Sequence, residues 1–154
     1  MVEYIHAETA EEYMIAAILF KEYAAWLNID LCFQQFDEEL ENLQTMYTTP
    51  HGGIILARAE NEFIGCVAIR KKEKEIAELK RMYVKPAFQH KGTGSALLKE
   101  ALLLAKHCGY KKIRLDTLNT MKPAIELYKK NGFYEIQAYY YNPETTAVYF
   151  EKII

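Results

Sequence analysis

Ala77-Glu78-Leu79-Lys80-Arg81-Met82-Tyr83-Val84, followed after a short break by Gln89-His90-Lys91-Gly92-Thr93-Gly94, is the stretch on which the fold turns. The first part reads as a strand. Pro86 stops it, because proline has no N–H for the ladder. From Ser95 onward apolar residues recur at helical spacing. A glycine-rich turn between a strand and a helix points backbone N–H groups outward, and the positive end of the helix dipole adds to them. Such a turn suits phosphate, and pyrophosphate above all.

Two common phosphate loops fail on the residues. The dinucleotide fingerprint needs a third glycine, and Gly92-Thr93-Gly94 is followed by Ser95-Ala96-Leu97. A P-loop needs Gly-Lys-Ser/Thr, and neither Gly92 nor Gly94 is followed by it. The pattern that fits is Q/R-x-x-G-x-G/A, which resembles the acyl-CoA loop of the GNAT superfamily of N-acetyltransferases. The charge agrees. From Leu79 to Lys99 stand Lys80, Arg81, Lys85, Lys91 and Lys99 with no acid, inside a chain of net charge −2. That basic island would steer an anionic cofactor inward.

The 154 residues suit a single domain over 1–154 with a real core. Hydrophobic residues at 51% and charged residues at 26% are ordinary for a globular protein, and 7 Gly with 4 Pro leave no room for a linker. The near-neutral balance argues against a nucleic-acid partner. The early apolar run Met14–Phe20 is short and preceded by acids, so neither a signal peptide nor a membrane anchor is expected. Cys32, Cys66 and Cys108 form no C-x-x-C pair, and a cytoplasmic chain with reduced thiols is the simplest expectation.

Patterning predicts strands over 2–5, 54–59, 63–70, 76–84, 112–117, 133–141 and 146–151. Helices are expected over 11–27, 37–46 (N-capped by Asp37), 93–107 and 121–130 (N-capped by Thr120). The order β–α–α–β–β–β–α–β–α–β–β is mixed α/β: a mostly antiparallel twisted sheet of about six or seven strands with one βαβ unit, flanked by four helices. It is the GNAT order.

A second signature lies at Ala124-Ile125-Glu126-Leu127-Tyr128-Lys129-Lys130-Asn131-Gly132-Phe133, which resembles the family's A-x-x-L/F-Y-x-x-x-G-F. The resemblance implies an acetyl-CoA-dependent transfer to a primary amine, small molecule or protein, by a direct ternary complex and without a metal. The amides of Gln89, His90, Lys91, Gly92, Thr93, Gly94 and Ser95 would hold the pyrophosphate. Tyr83 and Val84 would bond the pantetheine through their backbones, and the Met82 N–H would polarise the thioester carbonyl. Tyr128 would be the general acid, its phenol near pKa 10 matching a thiolate. Glu78, on the strand beside the acetyl group, would be the general base through a water, its pKa raised by burial. Where many relatives place a cofactor-contacting Asn, this chain has Met121, with Asn119 as the nearest substitute.

Each residue also has a plainer reading. Tyr128 is one of twelve tyrosines and packs as an aromatic. Met82 and Val84 fill a core. Glu78 forms a salt bridge while water takes the proton. The family's acceptor groove would correspond to Trp26–Phe36, including Cys32 and Phe33, and to Tyr139-Tyr140-Tyr141, with Glu38, Glu39 and Glu41 adding acid. The histidines share no metal-ligand spacing. A homodimer through the late strands is common in the family. Two other functions remain open at this point: a non-catalytic acyl-CoA-binding or regulatory domain on the same fold, and a protein–protein interaction module.

Overall fold

The computed structural model describes residues 1–31 and 35–154. Its elements are β1 (Val2–His6), α1 (Ala10–Leu27), α2 (Phe36–Glu41), α3 (Leu43–Met46), β2 (Gly53–Ala59), β3 (Glu62–Glu73), β4 (Ile76–Val84), α4 (Thr93–His107), β5 (Lys112–Leu118), α5 (Lys122–Lys130), β6 (Tyr134–Ile136) and β7 (Ala147–Ile153). One seven-stranded sheet in the order β1-β2-β3-β4-β5-β7-β6 carries them all. Every pairing is antiparallel except β4 with β5, which is the βαβ unit closed by α4.

Alternation along the strands feeds two cores, one on each face. Ile55, Val67, Ile69, Ala77, Leu79 and Ile113 meet Leu97, Leu98, Ala101 and Ala105 of α4 on one side. Leu56, Cys66 and Ala68 meet Ala16, Leu19 and Phe20 of α1 on the other, with Tyr47 behind α3. A capping box starts α1: Glu12 N–H donates to Thr9 Oγ1 at 3.1 Å, and Thr9 N–H donates to Glu12 Oε2 at 3.1 Å.

Two features of β4 create the site. First, its pairing with β5 covers only Ile76–Glu78 against Lys112–Arg114, and beyond that register the strands part. Second, β4 carries a bulge: Cys66 of β3 faces Tyr83 while Ala68 faces Lys80, so two β4 residues oppose one β3 residue. Arg81 sits in the bulge at φ 57°, a left-handed conformation unusual for a long side chain. Gly65 permits the close approach there, since a Cβ on it would stand 2.6 Å from the Tyr83 carbonyl oxygen.

The buried Arg81 is tied across the layer. Its Nη2 and Nε donate to the two oxygens of Glu39 at 2.7 and 3.1 Å, and the Tyr47 hydroxyl donates to Glu39 Oε2 at 2.9 Å. Burial alone would raise the Glu39 pKa, but the hydrogen bonds and charge of Arg81 outweigh it and hold the carboxyl below its usual range. The stabilisation is therefore present above the unfolded carboxylate value and lost as pH falls through the lower folded one. Glu39→Ala leaves the Arg81 guanidinium buried without its partner. It is expected to cost about 3–5 kcal/mol of unfolding free energy in urea titration. A loss under about 1 kcal/mol would show the pair to be of little consequence.

The second helix is broken where the sequence predicts one: Asn42 departs from helical geometry and divides α2 from α3. The first of the pair is capped by Gln35 at φ 57°, not by Asp37, and α5 begins after Met121, not at a Thr120 cap. The late strand is also shorter than expected. It ends at Ile136 because Tyr139 and Tyr140 leave the ladder, turn over the sheet face and pack edge-on against Tyr149 at 5.5 and 5.8 Å.

Candidate functional site

The glycine-rich loop lies where its sequence places it. A single 3-10 turn at Pro86–Phe88 follows β4, and the Gln89 side chain donates to the Val84 carbonyl at 2.8 Å, folding the loop back onto the strand end. His90 and Gly92 both adopt positive φ, 64° and 89°, and Gly92 is the N-cap of α4. The α4 N-terminus thereby opens onto a groove of about 440 Å3. Its walls are Met82–Val84 at the end of β4, Gln89, His90, Gly92, Gly94 and Ser95 of the loop, and Thr120, Met121 and Pro123 at the start of α5.

Three expected contacts fall differently. Thr93 is buried and does not line the groove. The Lys91 ammonium lies over the Phe88 ring at 5.8 Å. Asn119 does not line the groove: its N–H donates to the Thr146 carbonyl at 2.8 Å, while Thr120 and Met121 form the wall. Trp26, expected on the acceptor side, packs at a tilt against Tyr83 at 5.8 Å and lines this groove.

The gap between the parted strands is a second hollow, a cavity of about 50 Å3. Leu79–Met82 form one side and Asp116–Leu118 the other, with Tyr128 of α5 and Tyr23 of α1 closing it. The two hollows share Met82, Met121 and Ala124, so they meet at the bulge.

Tyr128 is 5% exposed and packs on Phe133 and Phe150 at 5.6 and 6.4 Å. Burial first, then the nearby Tyr23 and Asp116, pushes its phenol well above the ordinary value near 10 assumed from sequence. Tyr23 is likewise pushed up, to about 12, chiefly by burial.

Glu78 overturns one expectation. It is 1% exposed and lines neither hollow. Arg70 Nη2 and Nε reach its Oε1 at 2.8 and 2.9 Å, and the Tyr139 hydroxyl donates to Oε2 at 2.8 Å. Burial would raise its pKa, but Lys80, Arg70 and the two hydrogen-bond donors together lower it. A raised value does not occur, because this burial comes with full pairing.

Sequence reasoning missed Asp116 and Lys80, both in the cavity wall. Lys80 is 7% exposed, and burial followed by the Arg81 charge brings its ammonium down to about 8. Asp116 moves the other way: burial raises its carboxyl against the lowering effects of Lys80 and the Tyr140 hydrogen bond. The available signal was the alternation of β5, in which Ile113 and Leu115 face the core and Asp116 does not. Leu27, Ile29 and Leu31 supply the apolar rim, while Phe36 lies over the Arg81 guanidinium at 5.2 Å. The expected Cys32 and Phe33 contributions lie outside the described residues. Glu39 is committed to Arg81, and Tyr141 points outward at 83% exposure. Among the described residues no group of His, Cys, Asp or Glu could hold a metal ion, and no helix is long and apolar enough to cross a membrane.

Comparison with known proteins bears on this geometry. The model of the acetyltransferase (GNAT) family matches residues 18–133. An uncharacterized N-acetyltransferase from Schizosaccharomyces pombe is 39% identical over 134 residues, covering 86% of this chain and 82% of that protein. An acetyltransferase from Streptococcus agalactiae superposes with TM-score 0.80 at 20% identity, over 99% of this chain and 98% of that one. A GNAT family acetyltransferase from Elizabethkingia anophelis, solved with acetyl-CoA bound, gives 0.66 at 22% identity over 99% and 98%. At these identities the two structures speak to the fold.

Proposed function

The chain belongs to the GNAT family of acetyltransferases, and from that premise we propose that it is an N-acetyltransferase moving the acetyl group of acetyl-CoA directly to a primary amine. The observation that carries the reading is the meeting of the loop-capped groove with the strand-gap cavity at Met82, beside Tyr128.

The residues divide the work as follows. The N–H groups from Gln89 to Ser95 and the α4 dipole hold the pyrophosphate, with the exposed Lys91 adding positive field. Tyr83 and Val84 bond the pantetheine arm as a further strand edge would. The Met82 N–H, beside the bulge, polarises the thioester carbonyl in this reading. A donor aimed at developing negative charge contributes roughly 3–4 kcal/mol to such a step. Tyr128 gives the departing thiolate its proton. Glu78 holds Tyr139 and Arg70 in place behind the cavity. Cys66, the buried thiol behind the bulge, is pushed up by burial and is no nucleophile, which favours direct transfer over an acyl-enzyme.

The test is calorimetric titration with acetyl-CoA, with ATP and NAD as controls. Selective binding in the micromolar range is expected, followed by amine-dependent thiol release. Binding without thiol release from any amine would leave an acyl-CoA-binding domain. Failure to bind acetyl-CoA would leave the interaction module.

A further inference from the structure

A direct transfer needs a group to take the proton of the incoming ammonium, and the position of Glu78 raises the question of which group does so. Glu78 is enclosed by Arg70 and Tyr139 and reaches neither hollow. Two carboxylates do line the strand-gap cavity, Asp116 and Glu144. Glu144 stands on a turn, its N–H bonded to Asn142 Oδ1 at 2.9 Å. Asp116 stands on β5 at the place where β4 and β5 have parted, across the cavity from Met82 and lining it together with Tyr128.

The size of the cavity limits what enters it. One water needs about 10–15 Å3 of such space, so about 50 Å3 holds an amino group and roughly two or three further heavy atoms, and the remainder of a longer chain extends past the rim. Leu27, Ile29 and Leu31 continue the wall with apolar surface.

Resting on the acetyltransferase reading above, we propose that Asp116 is the catalytic residue that receives the acceptor's ammonium proton, and that the acceptor is an unbranched primary alkylamine threaded between the parted strands. The carboxylate takes one proton and the neutral nitrogen forms the N–C bond to the thioester carbonyl. The C–S bond breaks as Tyr128 protonates the sulfur, and the resulting phenolate takes the second proton from the former amine nitrogen. Asp116 returns its proton to solvent as the amide leaves. The groups facing Asp116 support the assignment. Burial, with a contribution from Glu78, raises its carboxyl, while Lys80, Tyr140 and Arg81 lower it, leaving it above the ordinary 3.8. A base is active above its pKa, so the rate falls as pH falls through that value.

The experiment is thiol release with n-butylamine as probe and tert-butylamine as the branched control, after acetyl-CoA binding has been verified calorimetrically in each variant. Absence of acetyl-CoA binding to the wild type would sink the underlying reading, whereas the remaining outcomes bear on Asp116 alone. Asp116→Asn is expected to bind acetyl-CoA within about twofold of wild type and to lose about 100-fold or more in kcat/KM for n-butylamine. The wild-type acid limb should lie above the ordinary 3.8 and should persist in Asp116→Glu. That variant and the wild-type profile decide the matter should Asp116→Asn fail to fold. Four results would each overturn the proposal: wild-type rates in Asp116→Asn, an equal loss in Glu144→Gln, an acid limb that survives unchanged in Asp116→Asn, and turnover of tert-butylamine matching or exceeding that of n-butylamine.

Discussion

Gly92→Glu should raise the dissociation constant for acetyl-CoA at least about 100-fold while leaving a folded protein. Both halves of the expectation come from the same position. A Cβ built on Gly92 meets nothing within 4 Å beyond its own chain neighbours, so the added side chain has room in the fold. Its φ of 89° is one that a residue with a Cβ adopts at a cost of roughly 1–3 kcal/mol, borne by an exposed loop. Gly92 lines the groove together with Gln89, His90 and Gly94. A glutamate there fills the approach to the α4 N-terminus and sets a negative charge against the pyrophosphate. A 100-fold loss corresponds to about 2.7 kcal/mol, modest for a like-charge contact combined with a blocked backbone donor. Gly92→Ala carries the φ strain without the charge or the length. It separates the two effects: a small affinity change in Gly92→Ala beside a large one in Gly92→Glu, with thermal midpoints close together, is the expected pattern. Unchanged acetyl-CoA affinity in Gly92→Glu would remove the loop from the cofactor site.

What could be read from sequence divides along physical lines. The groove was legible because its chemistry is local: backbone donors on a glycine turn must be contiguous in the chain, so Gln89–Gly94 declares them. The α4 face was legible because Leu97, Leu98, Ala101 and Ala105 repeat at helical spacing against one wall. The bulge was not legible. A left-handed Arg81 contradicts every local preference, and it persists because Glu39, 42 residues away, holds its guanidinium. Tyr139–Tyr141 reads as strand because tyrosine favours strands. The residues leave the ladder because Glu78, 61 residues away, and Tyr149 of β7 offer Tyr139 a hydrogen bond and an edge-on ring. The pKa of Glu78 was misjudged for a related reason. Burial can be guessed from neighbours such as Ala77 and Leu79, but the sign of the shift depends on whether Arg70 and Lys80 arrive on the same face. Asp116 matters only because β4 and β5 separate beside it, a property of two strands that neither shows alone.

Tyr128→Phe should lower kcat by about 10²- to 10⁴-fold with acetyl-CoA affinity nearly unchanged, measured with whichever alkylamine supports thiol release. The substitution removes one oxygen and keeps the ring contacts with Phe133 and Phe150, so packing is retained. The raised phenol pKa sharpens the expectation. The group is protonated across the whole working range, so the proton is in place on every turnover and no alkaline limb arises from its loss. A phenol held this far up is a poor donor to water, but the thiolate leaves into the same buried cavity, where its own charge is as poorly solvated. Burial therefore raises donor and acceptor together, and the transfer stays nearly balanced. In the phenylalanine variant the thiolate must leave unprotonated or wait for water. Thiol analogues that leave as weaker bases should then regain part of the lost rate, a response that a purely packing role for Tyr128 does not produce. A kcat within twofold of wild type, with the same dependence on leaving-group basicity, would make Tyr128 a packed aromatic of the α5 core and move the proton donor to the solvent in the groove.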